Sequence, residues 1–378
     1  MGELLDAVVV GAGPAGLSCA EKLAEEGFRV VVLERRARPN EDKLCGGYVP
    51  ISTFEEFEIS KDVAEFPVRG ARLIAKSGEW VIEFDEVVGY NVDRTKLAEH
   101  LARRVRRRGG EVLTGTAVLD VREEEGSAVV VCRDGSLRAR VVVAADGAYS
   151  RVGSRIRGRF RPDELGLAAQ VKAASTGRFA ERGLNTILLG GDYSPFGYAY
   201  IFPKSSHLDV GVGALASKAK GLGGYLGRVL EACELRTVSR VEYAPVSLVG
   251  PLSRVARGRV MLAGDSAGHV APLTGEGIRF AMTAGRMAAE AAAAYLKGRA
   301  TLRGMSGLYL SRLRRSFYGR LRLEKLILKL FRRGAVRSGR LLRDPAIRRA
   351  VAELYLDRRD TRSIVLSILP RALRNLFP

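Results

Sequence analysis

Residues 6–34 read DAVVVGAGPAGLSCAEKLAEEGFRVVVLE. The stretch divides into a short apolar run (Val8 to Val10), a glycine turn, a helical stripe and a second apolar run, RVVVLE. Leu17, Ala20, Leu23 and Ala24 recur at helical spacing, and Gly27 closes that helix. Gly11, Gly13 and Gly16 stand at G-x-G-x-x-G spacing between strand and helix. In this setting the first glycine makes the turn, the second admits a pyrophosphate against the backbone, and the third lets helix and strand pack closely. The diphosphate then rests on a helix N-terminus, whose N–H groups and dipole favour negative charge. Glu34 ends the second strand, where a carboxylate accepts ribose hydroxyls and disfavours a 2′-phosphate.

Two further stretches extend this reading. AADGAYSRVG (144–153) follows an apolar run, with Asp146-Gly147 as a turn signal. GDSAGHVAPLTGEGIRFAM (264–282) places Asp265 at a strand end and Gly275, Gly277 and Ile278 at a helix start. A carboxylate at Asp265 suits ribityl hydroxyls. A helix N-terminus there suits a flavin ring that gains negative charge on reduction. His269 in the same loop is either a donor or a structural histidine.

Between these motifs the pattern is sheet-rich. A helix is expected over 93–108 with Leu97 and Leu101 inward, strands near 111–123 and 128–145, strand-rich segments at 165–215 and 239–249, and a helix near 224–233. The fold class is therefore α/β: a Rossmann-type dinucleotide domain, an interleaved sheet-rich domain and a helical C-terminal segment. The expected boundaries are 1–70, 91–160 and 250–310 for the first, 71–90 and 161–249 for the second, and 311–378 for the third.

The chain has 378 residues, 47% of them hydrophobic, and a formal net charge of +20. Residues 311–378 hold 19 Lys and Arg against 5 Asp and Glu, which concentrates +14 there. An anionic partner follows: a membrane surface, a phosphate-bearing substrate or nucleic acid. In LRLEKLILKLFRR, Leu323, Leu326, Ile327, Leu330 and Phe331 share one helical face; Arg322, Lys325, Lys329, Arg332 and Arg333 share another. That pattern fits an anionic membrane surface or a helix with a solvated basic face. The segment carries no recognisable nucleic-acid module, so no specific nucleic acid is expected. The MGELLD start is acidic, and no run of about 20 apolar residues is present. A cytoplasmic protein on the inner membrane surface is expected, without signal peptide or transmembrane helix. Cys19, Cys45, Cys132 and Cys233 are far apart, so no disulfide framework and no metal site are expected.

The three motifs, in this order, resemble FAD proteins with the p-hydroxybenzoate-hydroxylase type of fold. Two further stretches narrow the resemblance to the archaeal geranylgeranyl reductase family, which includes digeranylgeranylglycerophospholipid reductases. KLCGGYVP (43–50) is similar to the family's Cys-Gly loop, and PFGYAYIFP (195–203) to its substrate-pocket motif. Tyr200 stands where the family usually has Trp, and Tyr48 where a second spaced glycine is common. The resemblance implies FAD contacts at Ala15, Glu34, Cys45, Gly46, Arg94, Val118, Asp265, Gly277 and Ile278, beside the turn Gly11, Gly13 and Gly16. It implies a substrate pocket at Tyr198, Tyr200, Phe202 and Pro203, with Cys45, Tyr198 and Tyr200 as catalytic candidates. Cys45 itself reads as a hydrogen-bond donor beside the flavin or as a small buried residue without chemistry.

The implied activity is FAD-dependent saturation of geranylgeranyl double bonds in archaeal-type membrane lipid precursors. An isolated alkene has no carbonyl to take electrons, so one carbon needs hydride and the other a proton. Aromatic faces stabilise charge that develops on protonation. On a strand Tyr198, Tyr200 and Phe202 share one side. The alternatives are a flavin-dependent monooxygenase of the same fold and a non-catalytic basic membrane-binding flavoprotein. The electron donor is left among NAD(P)H, ferredoxin and reduced deazaflavin.

Overall fold

A computed structural model describes residues 3–41, 43–332 and 343–376 of the chain. Two compact units emerge. Unit 1 comprises Met1–Lys43, Arg94–Arg161 and Ser247–Arg322; unit 2 comprises Leu44–Asp93, Pro162–Val246 and Leu323–Pro378.

Unit 1 contains β1 (Leu4–Val10), α1 (Pro14–Glu25) and β2 (Val30–Leu33) from the opening stretch. After the first insertion come α3 (Arg94–Arg107), β8 (Glu111–Leu113), β9 (Val118–Glu124), β10 (Ser127–Cys132), β11 (Gly135–Ala144) and α4 (Arg151–Arg157). The last piece holds β17 (Ala256–Arg257), β18 (Val260–Leu262), α7 (Ile278–Leu296) and α8 (Leu302–Arg315). The sheet order is β17-β18-β11-β1-β2-β8, with the β9–β10 hairpin off β11. β1 pairs in parallel with both β2 and β11, and β11 with β18. Parallel strands covered on both faces read as continuous apolar runs rather than alternations. Val8, Val9, Val32, Val142 and Val143 are accordingly all fully buried. Leu97 and Leu101 face inward on α3 as the helical spacing predicts.

Unit 2 contains β3 (Tyr48–Pro50), α2 (Ile51–Glu56), β4 (Ala64–Val68), β5 (Gly70–Ala75), β6 (Gly78–Glu83) and β7 (Gly89–Val92). Its second piece holds β12 (Leu165–Ala174), α5 (Gly177–Ala180), β13 (Leu184–Leu189), β14 (Gly197–Pro203), β15 (His207–Leu215), α6 (Leu222–Ala232) and β16 (Glu242–Ser247). These strands form a seven-stranded sheet, β16-β12-β15-β14-β13-β5-β6, and a small sheet, β3-β7-β4. One face of the large sheet packs Ala199, Ile201, Val210 and Val212 against Leu222, Leu226 and Val229 of α6.

The helices α9 (Tyr318–Arg332), α10 (Pro345–Tyr355) and α11 (Thr361–Leu376) complete the chain. Two boundaries differ from expectation. Residues 44–70 belong to unit 2, because β3 and β4 pair with β7 in the small sheet. The C-terminal segment is not a separate body: Ala352 of α10 and Leu356 just beyond it join Val68, Leu73 and Ile187 in one core. On α9, Leu323 and Ile327 are half-buried and Leu326 is 55% exposed. The side chains of Leu330, Phe331 and Arg332, and residue Arg333, lie outside the described residues.

Candidate active site

In unit 1 the glycine turn between β1 and α1 opens on a cleft of about 330 Å³. The three glycines serve different masters. A Cβ on Gly11, at φ +102°, would lie 2.4 Å from the Ala145 carbonyl oxygen, and one on Gly16 would lie 2.0 Å from that of Gly11. The fold itself needs both glycines. Gly13 has ordinary φ, and a Cβ there meets nothing within 4 Å. Nothing in the chain requires glycine at 13, and its bare backbone leaves room for a pyrophosphate pressed on the turn. α1 begins at Pro14 with no side-chain cap, so its first N–H groups have no intrahelical acceptor.

Glu34 is buried, and its carboxylate is already oriented. Oε2 accepts from Ala12 N–H at 2.9 Å and Oε1 from Arg36 N–H at 3.0 Å. A carboxylate has about four acceptor positions, so lone pairs remain for ribose hydroxyls. Arg94 opens α3 and lines the cleft, and its Nε is buried with no hydrogen-bond partner. Such orphaned donors are rare in native proteins. An uncapped helix, an unneeded glycine and an orphaned guanidinium nitrogen all fit an anionic dinucleotide.

Asp265 lies in a short 3-10 turn, Gly264–Ala267, with Lys43 Nζ 4.0 Å from its carboxylate. Gly264, at φ +69°, donates its N–H to His269 Nδ1 at 3.2 Å. His269 is fully buried, and burial pushes its pKa down to about 3. The ring is neutral, Nδ1 accepts, and Nε2–H therefore donates to the Tyr318 hydroxyl at 3.2 Å. His269 thus holds the Asp265 turn, which is the structural reading of this residue. Gly277 and Ile278 start α7, again without a side-chain cap. A Cβ on Gly277 would stand 3.9 Å from Asp265 Oδ1, so the carboxylate sits beside this helix start. Gly285 of α7 packs flush on α1, its imagined Cβ 2.1 Å from the Ala15 carbonyl oxygen.

Gly11, Gly13, Ala15, Glu34, Arg94, Val118 and Asp265 line one cleft; Gly16 lies beneath the turn. Sequence reasoning missed Arg36, Lys43, Arg133 and Tyr149 on the same walls. The basic run after Glu34 was the available signal. Six basic and three acidic side chains line the cleft, an excess that suits a diphosphate. Asp146 also lines it, but its carboxylate accepts from the Ser150 hydroxyl and from Arg151 N–H at 3.0 Å, tying down the start of α4.

Within unit 2 the two narrower motifs meet. A Cβ on Gly46 would lie 2.4 Å from the Phe202 ring, so the Cys-Gly-Gly loop rests on the strand of PFGYAYIFP. Gly47, at φ +76°, donates its N–H toward Cys45 Sγ at 3.4 Å. Tyr198, Tyr200 and Phe202 share one face of β14, with ring centroids 6.4 and 5.2 Å apart in succession. Ala199 and Ile201 point to the opposite core. Tyr200 donates its hydroxyl to Oε1 of Gln170, the only glutamine in the chain, at 2.6 Å. Burial first, and the neighbouring Cys45 second, push the phenols of Tyr198 and Tyr200 well up, so both stay protonated. Asn91 Nδ2 donates to the Pro203 carbonyl at 2.9 Å. The Tyr48 hydroxyl lies 3.1 Å from the Val88 and 3.0 Å from the Leu356 carbonyl oxygen, which uses the position where glycine was expected. Cys19 and Cys233 are buried fillers, whereas Cys132 is only half-buried at the end of β10.

A reductase named geranylgeranyl diphosphate reductase, from Rhodobacter capsulatus, is 35% identical over 77% of this chain and 76% of its own. The chain belongs to the geranylgeranyl reductase family. A second member, the digeranylgeranylglycerophospholipid reductase of Methanothrix thermoacetophila, is 33% identical over 76% of this chain and 77% of its own. The lycopene cyclase protein family also matches, over residues 6–171. Among solved structures, a geranylgeranyl bacteriochlorophyll reductase-like protein from Thermoplasma acidophilum superposes with a TM-score of 0.79. It is 24% identical and covers 86% of this chain and 87% of its own. The fold is the Rossmann-type FAD-binding fold of reductases and halogenases. Among the described residues no helix is long and apolar enough to cross a membrane.

Proposed function

We propose that this geranylgeranyl reductase family member saturates isolated double bonds of geranylgeranyl chains on archaeal-type lipid precursors, with FAD as cofactor. Unit 1 holds the cofactor: the Gly11–Gly16 turn and Arg94 take the diphosphate, Glu34 the ribose, and Asp265 with the α7 N-terminus the flavin side. FAD, when bound and reduced, supplies the hydride. Unit 2 supplies substrate contacts through Cys45 and the face of Tyr198, Tyr200 and Phe202. The observation that carries this reading is the seating of Gly46 on Phe202, which joins the Cys-Gly loop and the aromatic strand into one surface.

The aromatic face is suited to a cationic centre, each ring stabilising one by about 0.5 to 2 kcal/mol. Tyr198 and Tyr200 are too weakly acidic there to give up a proton at neutral pH. Cys45, a free thiol on the loop that rests on this face, is the donor we assign to the second alkene carbon. The electron donor is NAD(P)H, ferredoxin or a reduced deazaflavin. The basic face of α9, with Lys325, Lys329 and Leu326 exposed, suits an anionic membrane surface from which a lipid substrate is taken.

The test supplies chemically reduced flavin and a geranylgeranyl lipid, and reads products by mass spectrometry. Gain of two hydrogens per bond is expected, with Cys45→Ser keeping part of the rate and Cys45→Ala losing more. Absence of alkene reduction, with oxygen insertion into an added substrate instead, would move the chain to the monooxygenase reading.

A further inference from the structure

The aromatic face of β14 ends in a charge. Lys204 follows Pro203 on the same side as Phe202, yet it is only 5% exposed. A lysine is almost never buried this deeply unless it is paired. Here Nζ donates to the Val92 carbonyl at 2.7 Å and lies 3.5 Å from Asp209 Oδ2. Asp209 is itself buried, stands opposite Phe202 in the β14–β15 ladder, and turns Oδ1 toward His207 Nε2 at 3.3 Å.

This group closes on the Cys45 loop. Val92, whose carbonyl Lys204 holds, donates its own N–H to the Gly47 carbonyl at 2.9 Å. Lys204 Nζ also stands 2.6 Å from where a Cβ of Gly47 would be, so the ammonium covers the Gly47 backbone directly. Gly47 N–H in turn reaches Cys45 Sγ. The end of β14 therefore grips the loop twice, with Phe202 under Gly46 and Lys204 over Gly47. Buried ion pairs contribute little net stability compared with apolar packing, and removing one partner strands the other charge.

We infer that Lys204 is a positioning residue: paired with Asp209, it locks the Cys45-Gly46-Gly47 loop so that the thiol is held in one place. The catalytic consequence rests on the proposed role of Cys45, but the positioning itself does not.

The experiment measures the alkylation rate of each cysteine by iodoacetamide, with peptide mass spectrometry, in the folded protein without lipid. Lys204→Met is expected to raise the Cys45 rate about tenfold through loop opening, with Cys132 unchanged as internal control. Lys204→Arg, which keeps the charge, is expected to restore most of the protection. If Lys204→Met does not fold because Asp209 is left unpaired, Lys204→Met with Asp209→Asn removes the stranded charge and carries the same expectation. A Cys45 rate equal to wild type in either folded variant overturns the inference, as does an equal rise at Cys132. With lipid and reduced flavin, Lys204→Met should slow turnover in the wild-type background and add nothing in the Cys45→Ala background. Protection lost without any lipid reduction in wild type would sink the proposed activity and leave the positioning role standing.

Discussion

Lowering the pH from 7 to 5 should destabilise this protein through His269, and the size of the effect follows from its burial. In the folded chain the ring is neutral, with a pKa near 3 against an ordinary 6.5. Below pH 6.5 the unfolded chain takes up a proton that the folded chain refuses. Stability from this group is therefore complete above 6.5, and is lost progressively as the pH falls toward 3. At pH 5, about 1.5 pH units below the unfolded value, the loss is about 2 kcal/mol, at 1.36 kcal/mol per unit. Other groups titrate in the same range, so the quantity to measure is a difference. His269→Asn keeps an acceptor for Gly264 N–H but carries no titrating ring. At pH 7 the variant should be less stable, since the Tyr318 hydroxyl loses its partner at a cost of about 1 to 3 kcal/mol. Its stability should nevertheless fall less between pH 7 and 5 than that of wild type, by about 2 kcal/mol in urea titrations. Parallel pH profiles for the two proteins would refute the reasoning, because they require either a charged His269 in the fold or a solvated one.

The remaining predictions concern the two glycine loops and the helical tail. Gly13→Val should abolish the flavin absorbance of purified protein while leaving the fold, read by circular dichroism, unchanged; retained flavin would contradict a pyrophosphate pressed on that turn. Gly46→Ala should cost about 1 to 3 kcal/mol by overpacking against Phe202, and Phe202→Leu in the same chain should recover part of it. Opposite charges at Lys325 and Lys329 should weaken co-sedimentation with anionic vesicles and flatten its salt dependence, with flavin retained; unchanged binding would leave α9 as a structural helix.

The dinucleotide half of the site was legible because its determinants are local. Gly11, Gly13, Gly16 and Glu34 fall within one strand–turn–helix–strand run, and each has a meaning fixed by spacing. Arg94 and Val118 had no such local meaning and were placed by family resemblance. Lys43, Arg133 and Tyr149 were missed because charged or aromatic loop residues look alike until the sheet brings the loops together. In unit 2, Gly46 was read as a flavin contact. Inside the unit, a Cβ on Gly46 would meet the Phe202 ring, and one on Gly47 would meet the Val92 carbonyl and Lys204. The boundary at residue 43 was not legible because it depends on β3 and β4 pairing with β7, a choice of partner that alternation does not specify.

The tail shows why amphipathicity alone leaves its partner open. A helix with one apolar face satisfies it equally against a sheet or against lipid. For α10 the choice is settled, since Ala352 is in the core of unit 2 and Glu353 accepts from both Arg349 and Arg359 at 3.1 Å. Arg358 pairs with Glu86, and Arg348 lies 4.8 Å over the Trp80 ring. Arg348 and Arg358 are thus engaged inside the unit, holding α10 and the turn after it to β6 and its neighbours. Among the described residues, α9 displays Arg322, Lys325 and Lys329 exposed around Leu326, where they can meet an anionic surface. Truncating the tail would strip Ala352 and Leu356 from a packed core and would report on folding, not docking. Substitutions on α9 separate the two roles that the sequence superimposes.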